Sequence, residues 1–173
     1  MKSYFFIPAA NEAFIKNVSR LSADYFVFDF EDSIDTRKLN KAFDIVSCIT
    51  IQKNFFARFY WNAHNVNYSF NHLKKLIELG FTNFFIPKFR TQKDLDSIYN
   101  LLKSYQHFEM FTLILLIENP QALCTLETIL KIYRPFAVAF GSHDYCAEMG
   151  MLHTAENILW ARNYLLNFSK AAG

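Results

Sequence analysis

Charged side chains that could bind a metal ion and a carboxylate stand at or near the ends of several apolar stretches. These residues are Asp29, Glu31 and Asp32, then Arg58, Lys88, Glu118 and Asp144. Carboxylate oxygens in such a set suit Mg²⁺ or Mn²⁺, because both are hard cations that prefer oxygen ligands. An arginine beside them suits bidentate binding of a substrate carboxylate. The residue types therefore predict a divalent-metal site that acts on a carboxylic acid.

Simpler structural explanations remain open for some of these residues. Asp32 and Asp144 could cap the helices that follow them, and Lys88 could be an ordinary lysine at a strand end. Glu118 is harder to explain in this way, because it follows the seven apolar residues 111–117, where an unpaired carboxylate would be costly. Arg58 lies within an aromatic stretch, where an unpaired charge would be costly in the same way. A functional role is therefore favoured most for Glu118 and Arg58.

The cysteines and histidines give a much weaker signal for a metal site. His143 and Cys146 could be combined with Cys124 as zinc ligands, but the spacing lacks a second matched pair. Cys48, Cys124 and Cys146 are spread out and embedded in apolar sequence, which predicts reduced thiols in the core of a cytoplasmic protein.

The order of apolar stretches predicts alternating strands and helices that would position the charged side chains. The predicted strands are residues 4–7, 25–30, 55–60, 81–87, 111–117 and 136–140. The predicted helices are residues 12–21, 33–47, 68–79, 93–105, 122–133 and 154–170, with Asn11 as an N-cap and Gly80 as a C-terminal stop. This alternation predicts parallel strands with right-handed helical crossovers, whose carboxyl ends gather the chemistry at one edge.

The six predicted β/α units indicate an α/β fold in one domain over residues 1–173, since no linker interrupts them. A closed eight-unit barrel usually needs about 250 residues. We therefore expect an incomplete TIM-type barrel with six of the eight units, or an open sheet of another α/β type. A phosphate-binding open sheet is disfavoured, because no glycine-rich loop follows any predicted strand.

Composition and charge exclude several other classes of protein. The net charge is +2 with both signs interspersed, so there is no electrostatic argument for nucleic acid as a partner. No apolar run approaches the roughly 20 residues of a membrane span, and no membrane partner is expected. The sequence is thus typical of a cytoplasmic protein with a small-molecule substrate.

Three segments in the first half of the chain carry motifs that resemble those of one known protein family. Residues 2–8, KSYFFIP, resemble the first-strand motif R-S-x-L-F-x-P, with Lys2 in place of arginine. Residues 23–33, ADYFVFDFEDS, resemble A-D-x-x-x-x-D-L-E-D-S/A. Residues 58–62, RFYWN, are similar to an R-x-N element with extra residues.

The second half continues the same resemblance in the correct order. The segment from Gly80 to Lys88 resembles G-x-x-x-x-x-x-P-K, and residues 117–119, IEN, stand where the family has I-E-T. Residues 141–150 resemble G-x-x-D-L-x-x-x-x-G, and residues 161–173 resemble a helix that precedes the seventh strand of the barrel. Taken in this order, the motifs resemble the citrate lyase beta subunit and HpcH/HpaI aldolase family, and they are those expected of a member truncated at its C-terminus.

This resemblance implies an activity and a role for each candidate residue. Glu118 and Asp144 would bind Mg²⁺ (or Mn²⁺), and Arg58 would hold the substrate carboxylate. Asp29, Glu31 and Asp32 would line the metal site through water as further catalytic residues, and Lys88 and Lys2 would contact the substrate. The implied activity is that of a carbon–carbon lyase acting on a small oxo- or hydroxy-acid or its CoA thioester.

A second function remains open beside the lyase. A truncated barrel could retain the metal site without catalysis and serve as a binding or assembly subunit. A homo-oligomer is expected in either case, because residues 4–7 and 136–140 would be unpaired, apolar edge strands.

Overall fold

The computed structural model describes residues 2–173, with only the backbone of Thr36. The chain divides into two compact units, residues 1–85 and residues 86–173, which we call the N-terminal unit and the C-terminal unit. The expectation of a single domain stays a prediction.

The N-terminal unit is built on parallel strands that are neighbours in chain order. They are β1 (Tyr4–Pro8), β2 (Tyr25–Asp29), β3 (Phe55–Arg58) and β4 (Asn83–Ile86), the last ending at the boundary between the units. The strands predicted over residues 25–30, 55–60 and 81–87 end one or two residues later than β2, β3 and β4 do. In the register, Asp29 pairs with Pro8 on one side and with Arg58 on the other. The carboxyl ends of these three strands are therefore level.

Three helices and two 3-10 turns connect these strands. The helices are α1 (Glu12–Lys16), α2 (Leu39–Ser47) and α3 (Val66–Glu78). Asn11 caps α1 as predicted, accepting a hydrogen bond from the Phe14 amide, and Gly80 follows α3 with φ +98°. Helix α1 is shorter than the helix predicted over residues 12–21, because Asn17 ends it and the Asn17 side chain donates to the Ala13 carbonyl.

Aromatic side chains fill the core of the N-terminal unit on both faces of its sheet. Phe28 packs on Phe55 and Phe81, with ring centroids 5.0 and 5.6 Å apart. On the other face Tyr4 stacks on Tyr25 at 4.7 Å, and Phe56 meets Phe85 edge to face at 5.7 Å. Each such pair contributes about 0.5–1.5 kcal/mol beyond area burial, which explains how a chain with 20 Phe builds its core.

The C-terminal unit contains two parallel strands and five helices among the described residues. The strands are β5 (Thr112–Ile117) and β6 (Ala137–Phe140), and Ile117 pairs with Phe140. The helices are α4 (Gln92–Lys103), α5 (Pro120–Cys124), α6 (Leu126–Tyr133), α7 (Ser142–Glu148) and α8 (Ala155–Ala171). The single helix predicted over residues 122–133 is therefore two helices divided at Thr125, and α7 was not predicted.

The expectation of three core thiols is wrong for two of them. Cys48, which follows α2, and Cys124, the last residue of α5, are exposed, whereas Cys146 is buried within α7. All three cysteines are free thiols. Of the helices in residues 2–173, none has the length and apolarity needed to cross a bilayer.

Candidate active-site residues

Arg58, the last residue of β3, is surrounded by the three predicted carboxyl groups of the N-terminal unit. Its Nε and Nη2 donate to the two oxygens of Asp29 at 2.8 and 2.7 Å, which makes a bidentate pair. Its Nη1 lies 3.1 Å from Asp32 Oδ2 and 3.3 Å from Glu31 Oε2. The level register of β2 and β3 explains this cluster, because it places Asp29 directly beside Arg58.

The Asp29–Arg58 pair is almost fully buried, and the two groups stabilise each other's charge. Burial alone would raise the pKa of Asp29, but the hydrogen bonds and charge of Arg58 outweigh it and lower that pKa below its ordinary value. For Arg58, burial acts to lower the pKa, and the hydrogen bonds and charge of Asp29 outweigh it and raise it. Both groups are therefore charged at neutral pH.

Phe6 is a neighbour of Arg58 that sequence reasoning missed. Its ring centroid lies 5.6 Å from the Arg58 guanidinium carbon, within the range of a cation–π contact. The other charged residue assigned to the substrate in this unit, Lys2, donates instead to the Tyr25 hydroxyl at 2.9 Å. Because Lys2 precedes β1, it lies at the amino ends of the strands, and the structure does not bring it together with Arg58.

The two predicted metal ligands of the C-terminal unit lie close together. Glu118 directly follows β5, and Asp144 lies in the first turn of α7, which follows β6. Each offers a carboxylate oxygen, and these two oxygens are within 4.8 Å of one another. Glu118 is buried and Asp144 is half-buried, so the pair consists of one buried carboxylate and one that solvent can reach.

Two neighbouring segments hold the Glu118 carboxylate in place. The Lys88 backbone N–H donates to Glu118 Oε2 at 2.8 Å, and the Lys88 side chain places Nζ 3.9 Å from Asp144. A Cβ added at Gly141 would lie 2.3 Å from Glu118 Cγ. Gly141 is therefore required for the close approach of Glu118, because any other residue would bring a Cβ into conflict with that side chain.

The contacts of Asp32 and Asp144 bear on the alternative that these residues cap helices. Asp32 accepts a hydrogen bond from Arg58. Asp144 is not the N-cap of α7, because that position is occupied by Gly141 and no side chain makes a capping hydrogen bond there. The zinc alternative finds no support: within the described residues, no cluster of three ligand side chains close enough to share an ion contains a histidine or cysteine. His143 instead stacks on His153, with ring centroids 3.9 Å apart.

Solved structures share the fold of this chain over almost its whole length. The citrate lyase beta subunit of Mycobacterium tuberculosis, complexed with oxaloacetate and magnesium, has 17% identity and a TM-score of 0.77 over 98% of this chain and 74% of its own. RipC from Yersinia pestis has 22% identity and a TM-score of 0.75 over 100% and 73%.

A third structure is that of the protein CitE from M. tuberculosis in complex with magnesium, acetoacetate and coenzyme A. Its TM-score is 0.78 at 16% identity, over 99% of this chain and 62% of its own. At these identities the likeness defines the fold, so the predicted α/β class is confirmed, while the incomplete barrel stays a prediction. No curated protein sequence matches the chain significantly.

The family assignment rests on the sequence itself. Residues 2–173 match the profile of the HpcH/HpaI aldolase/citrate lyase family, which covers nearly the whole chain. The resemblance seen in the strand-end motifs is thereby confirmed, and the chain belongs to the HpcH/HpaI aldolase/citrate lyase family.

Proposed function

We propose that this chain is a carbon–carbon lyase that depends on a divalent cation and acts on a small oxo- or hydroxy-acid or its CoA thioester. Family membership supports the reaction class. The observation that carries the proposal is the pair of carboxylate oxygens of Glu118 and Asp144 within 4.8 Å of one another. Structural relatives bind magnesium with oxaloacetate, or with acetoacetate and coenzyme A, which supports the cofactor and the substrate class.

The donor set of Glu118 and Asp144 fits Mg²⁺ or Mn²⁺, since both residues offer hard carboxylate oxygens. The Lys88 N–H occupies Glu118 Oε2 and orients this carboxylate before any ion arrives. A bound divalent ion would supply a Lewis acid for the carbonyl beside the carbon–carbon bond. The Lys88 ammonium, which is partly exposed near Asp144, is proposed to contact an anionic group of the substrate.

Arg58 is proposed to bind the substrate carboxylate, and its three acidic neighbours are proposed to assist it. Asp29 holds the guanidinium from one side by two hydrogen bonds and fixes its plane. Asp32 is 41% exposed and accepts from Nη1, so a substrate carboxylate could replace it there at little cost in desolvation. Glu31, close to the same Nη1, is buried and would favour retention of the positive charge.

Divalent-ion binding tests the metal site directly. Titration calorimetry with Mn²⁺ should show one ion bound to the wild-type protein and no binding to Glu118→Gln, because the inner carboxylate is lost. Glu127→Gln is a matched control, since Glu127 pairs with Lys131 on the surface of α6. Unchanged Mn²⁺ binding by Glu118→Gln would reject the assignment.

Turnover tests the reaction class. Oxaloacetate, pyruvate, acetoacetate and acyl-CoA thioesters are incubated with the protein and Mg²⁺, and cleavage or formation of a carbon–carbon bond is followed by proton NMR. Turnover that disappears in both Glu118→Gln and Arg58→Lys supports the lyase.

A metal-binding subunit without catalysis is the second candidate. The engagement of Arg58 by Asp29, Glu31 and Asp32 favours it, because a guanidinium bound by carboxylates of its own chain is less available to a substrate. Binding of Mn²⁺ without turnover of any acid or thioester would favour this candidate over the lyase.

A further inference from the structure

Asn119, which directly follows Glu118, uses both ends of its side-chain amide in buried hydrogen bonds. Its Oδ1 accepts from the Ala122 N–H at 2.9 Å and thereby caps α5. Its Nδ2 donates to the Phe89 carbonyl at 2.8 Å. The residue is only 4% exposed, so neither hydrogen bond is readily replaced by one to solvent. Asn119 therefore joins the start of α5 to the segment that follows β4.

The segment that Asn119 holds has a backbone conformation that needs support. Lys88 has φ +50°, in the left-handed region that a residue with a Cβ rarely adopts. The next residue, Phe89, is fully buried, and its carbonyl accepts the Asn119 amide. The Lys88 N–H, which lies two peptide groups before the Phe89 carbonyl in the chain, donates to Glu118 Oε2. The orientation of the Glu118 carboxylate thus depends on a strained segment that an adjacent side chain anchors.

We infer that Asn119 is a positioning residue: it fixes Lys88 and Phe89 so that the Lys88 N–H holds the Glu118 carboxylate ready for a divalent ion. The side chain would act through this segment, because both of its hydrogen bonds go to backbone groups. The metal-binding part of this inference rests on the proposed function, whereas the effect on the loop does not. A hydroxyl can accept and donate, but it does both from one atom, whereas the amide oxygen and nitrogen of Asn119 are two atoms that reach two separate partners.

Asn119→Thr introduces the residue that the family motif has at this position, so it tests whether this chain in particular depends on the second hydrogen bond. The threonine oxygen can cap α5, but as a single atom it does not also replace the amide nitrogen that donates to Phe89. Exchange of the Lys88 amide proton, measured by nitrogen-15 NMR without metal, should accelerate in this variant. The Mn²⁺ dissociation constant should rise about tenfold or more, as found when groups that orient metal ligands are removed. Asn119→Ser is a second variant of smaller volume, to be used if Asn119→Thr does not fold.

Asn83→Thr is the matched control for loss of a buried amide. Asn83 is buried in the N-terminal unit and donates to the carbonyls of Lys53 and Phe55 at 2.8 and 3.0 Å. This variant should lower the melting temperature and leave both the Lys88 amide and Mn²⁺ affinity unchanged. A Lys88 amide that exchanges equally fast in wild type and Asn119→Thr overturns the inference. A faster Lys88 amide in a protein that binds no Mn²⁺ supports the positioning of the loop and refutes the proposed metal site instead.

Discussion

At the scale of single residues, Arg58 illustrates how a buried charge is prepared for a ligand. Its guanidinium would be costly to bury alone, and Asp29 offsets that cost with two charge-assisted hydrogen bonds. The pair is thus both part of the core and part of the candidate site. A change at Arg58 is expected to affect stability and binding together, so the two must be measured separately.

Arg58→Lys should weaken the binding of an oxo acid such as pyruvate or oxaloacetate by about 1–3 kcal/mol. The reason is that an ammonium cannot reproduce the planar fork that binds Asp29 and a substrate carboxylate. Calorimetric titration with the acid measures the loss. Arg90→Lys is the control, because Arg90 makes a bidentate pair with Glu148 on the surface. Equal affinity of wild type and Arg58→Lys for the acid would reject the role of Arg58.

His72 gives a prediction about stability in acid. It is buried in α3 against Tyr68, with ring centroids 4.3 Å apart, and among the described residues its Nδ1 has no hydrogen-bond partner. Burial, helped by the charge of Lys75, lowers its pKa to about 4. Between that pKa and the ordinary value of about 6.5, the unfolded chain binds more protons than the folded one, so stability falls as pH is lowered.

Urea unfolding at pH 7 and pH 4.5 measures this effect. The loss assigned to His72 should be about 2 kcal/mol, and His72→Leu should remove that part of the pH dependence. His107→Leu, at an exposed histidine, should leave it in place. Identical pH dependence in wild type and His72→Leu would show that His72 is protonated in the folded protein at little cost.

At the scale of elements, the junction between β6 and α7 sets the position of Glu118. Gly141→Ala would place a Cβ 2.3 Å from Glu118 Cγ, so the junction or the side chain must move. Mn²⁺ affinity should therefore fall about tenfold or more. Gly150→Ala is the control: its φ of +65° makes alanine strained, but no atom lies within 4 Å of the added Cβ. Wild-type Mn²⁺ affinity in Gly141→Ala would show that Glu118 need not keep this position.

The alternation of elements could be predicted from the sequence, but several boundaries could not. Strand ends were placed too far along, because Phe30 and Phe59 are buried beyond the last paired residues of β2 and β3. The short helix α7 was missed, since seven residues with two buried side chains give little periodicity. Asp29, the last residue of β2, and Glu31, two residues beyond it, both contact Arg58.

The candidate site could be predicted as a set of side chains but not as a set of contacts. Strand-end positions included Glu118 and Asp144 among several charged candidates, and the family resemblance selected these two, which lie close together, as metal ligands. Nothing in the sequence indicated that the backbone of Lys88, through a positive φ, would bind Glu118. Nor could it show that Asn119 would use both ends of its amide, because the second partner lies 30 positions away in the chain. Tertiary contacts of backbone groups leave no pattern in side-chain types.

At the scale of the whole molecule, exposed apolar side chains lead to a prediction about assembly. In the N-terminal unit, β1 is an edge strand and carries the partly exposed Phe5 and Phe6. In the C-terminal unit, α8 exposes Leu159, Trp160 and Leu166, although its buried face consists of Ile158 and Ala161. Exposed apolar patches and unpaired strand edges favour association.

We therefore expect light scattering at micromolar concentration to show a species heavier than the 20.3 kDa chain. Trp160→Glu should shift the distribution towards the monomer, because it places a charge among the exposed apolar side chains of α8, where Trp160 is 62% exposed. Asn163→Glu adds the same charge to an exposed polar position of the same helix and should leave the distribution unchanged. A wild-type protein that stays monomeric at high concentration would show that neither β1 nor α8 serves as a contact surface between copies.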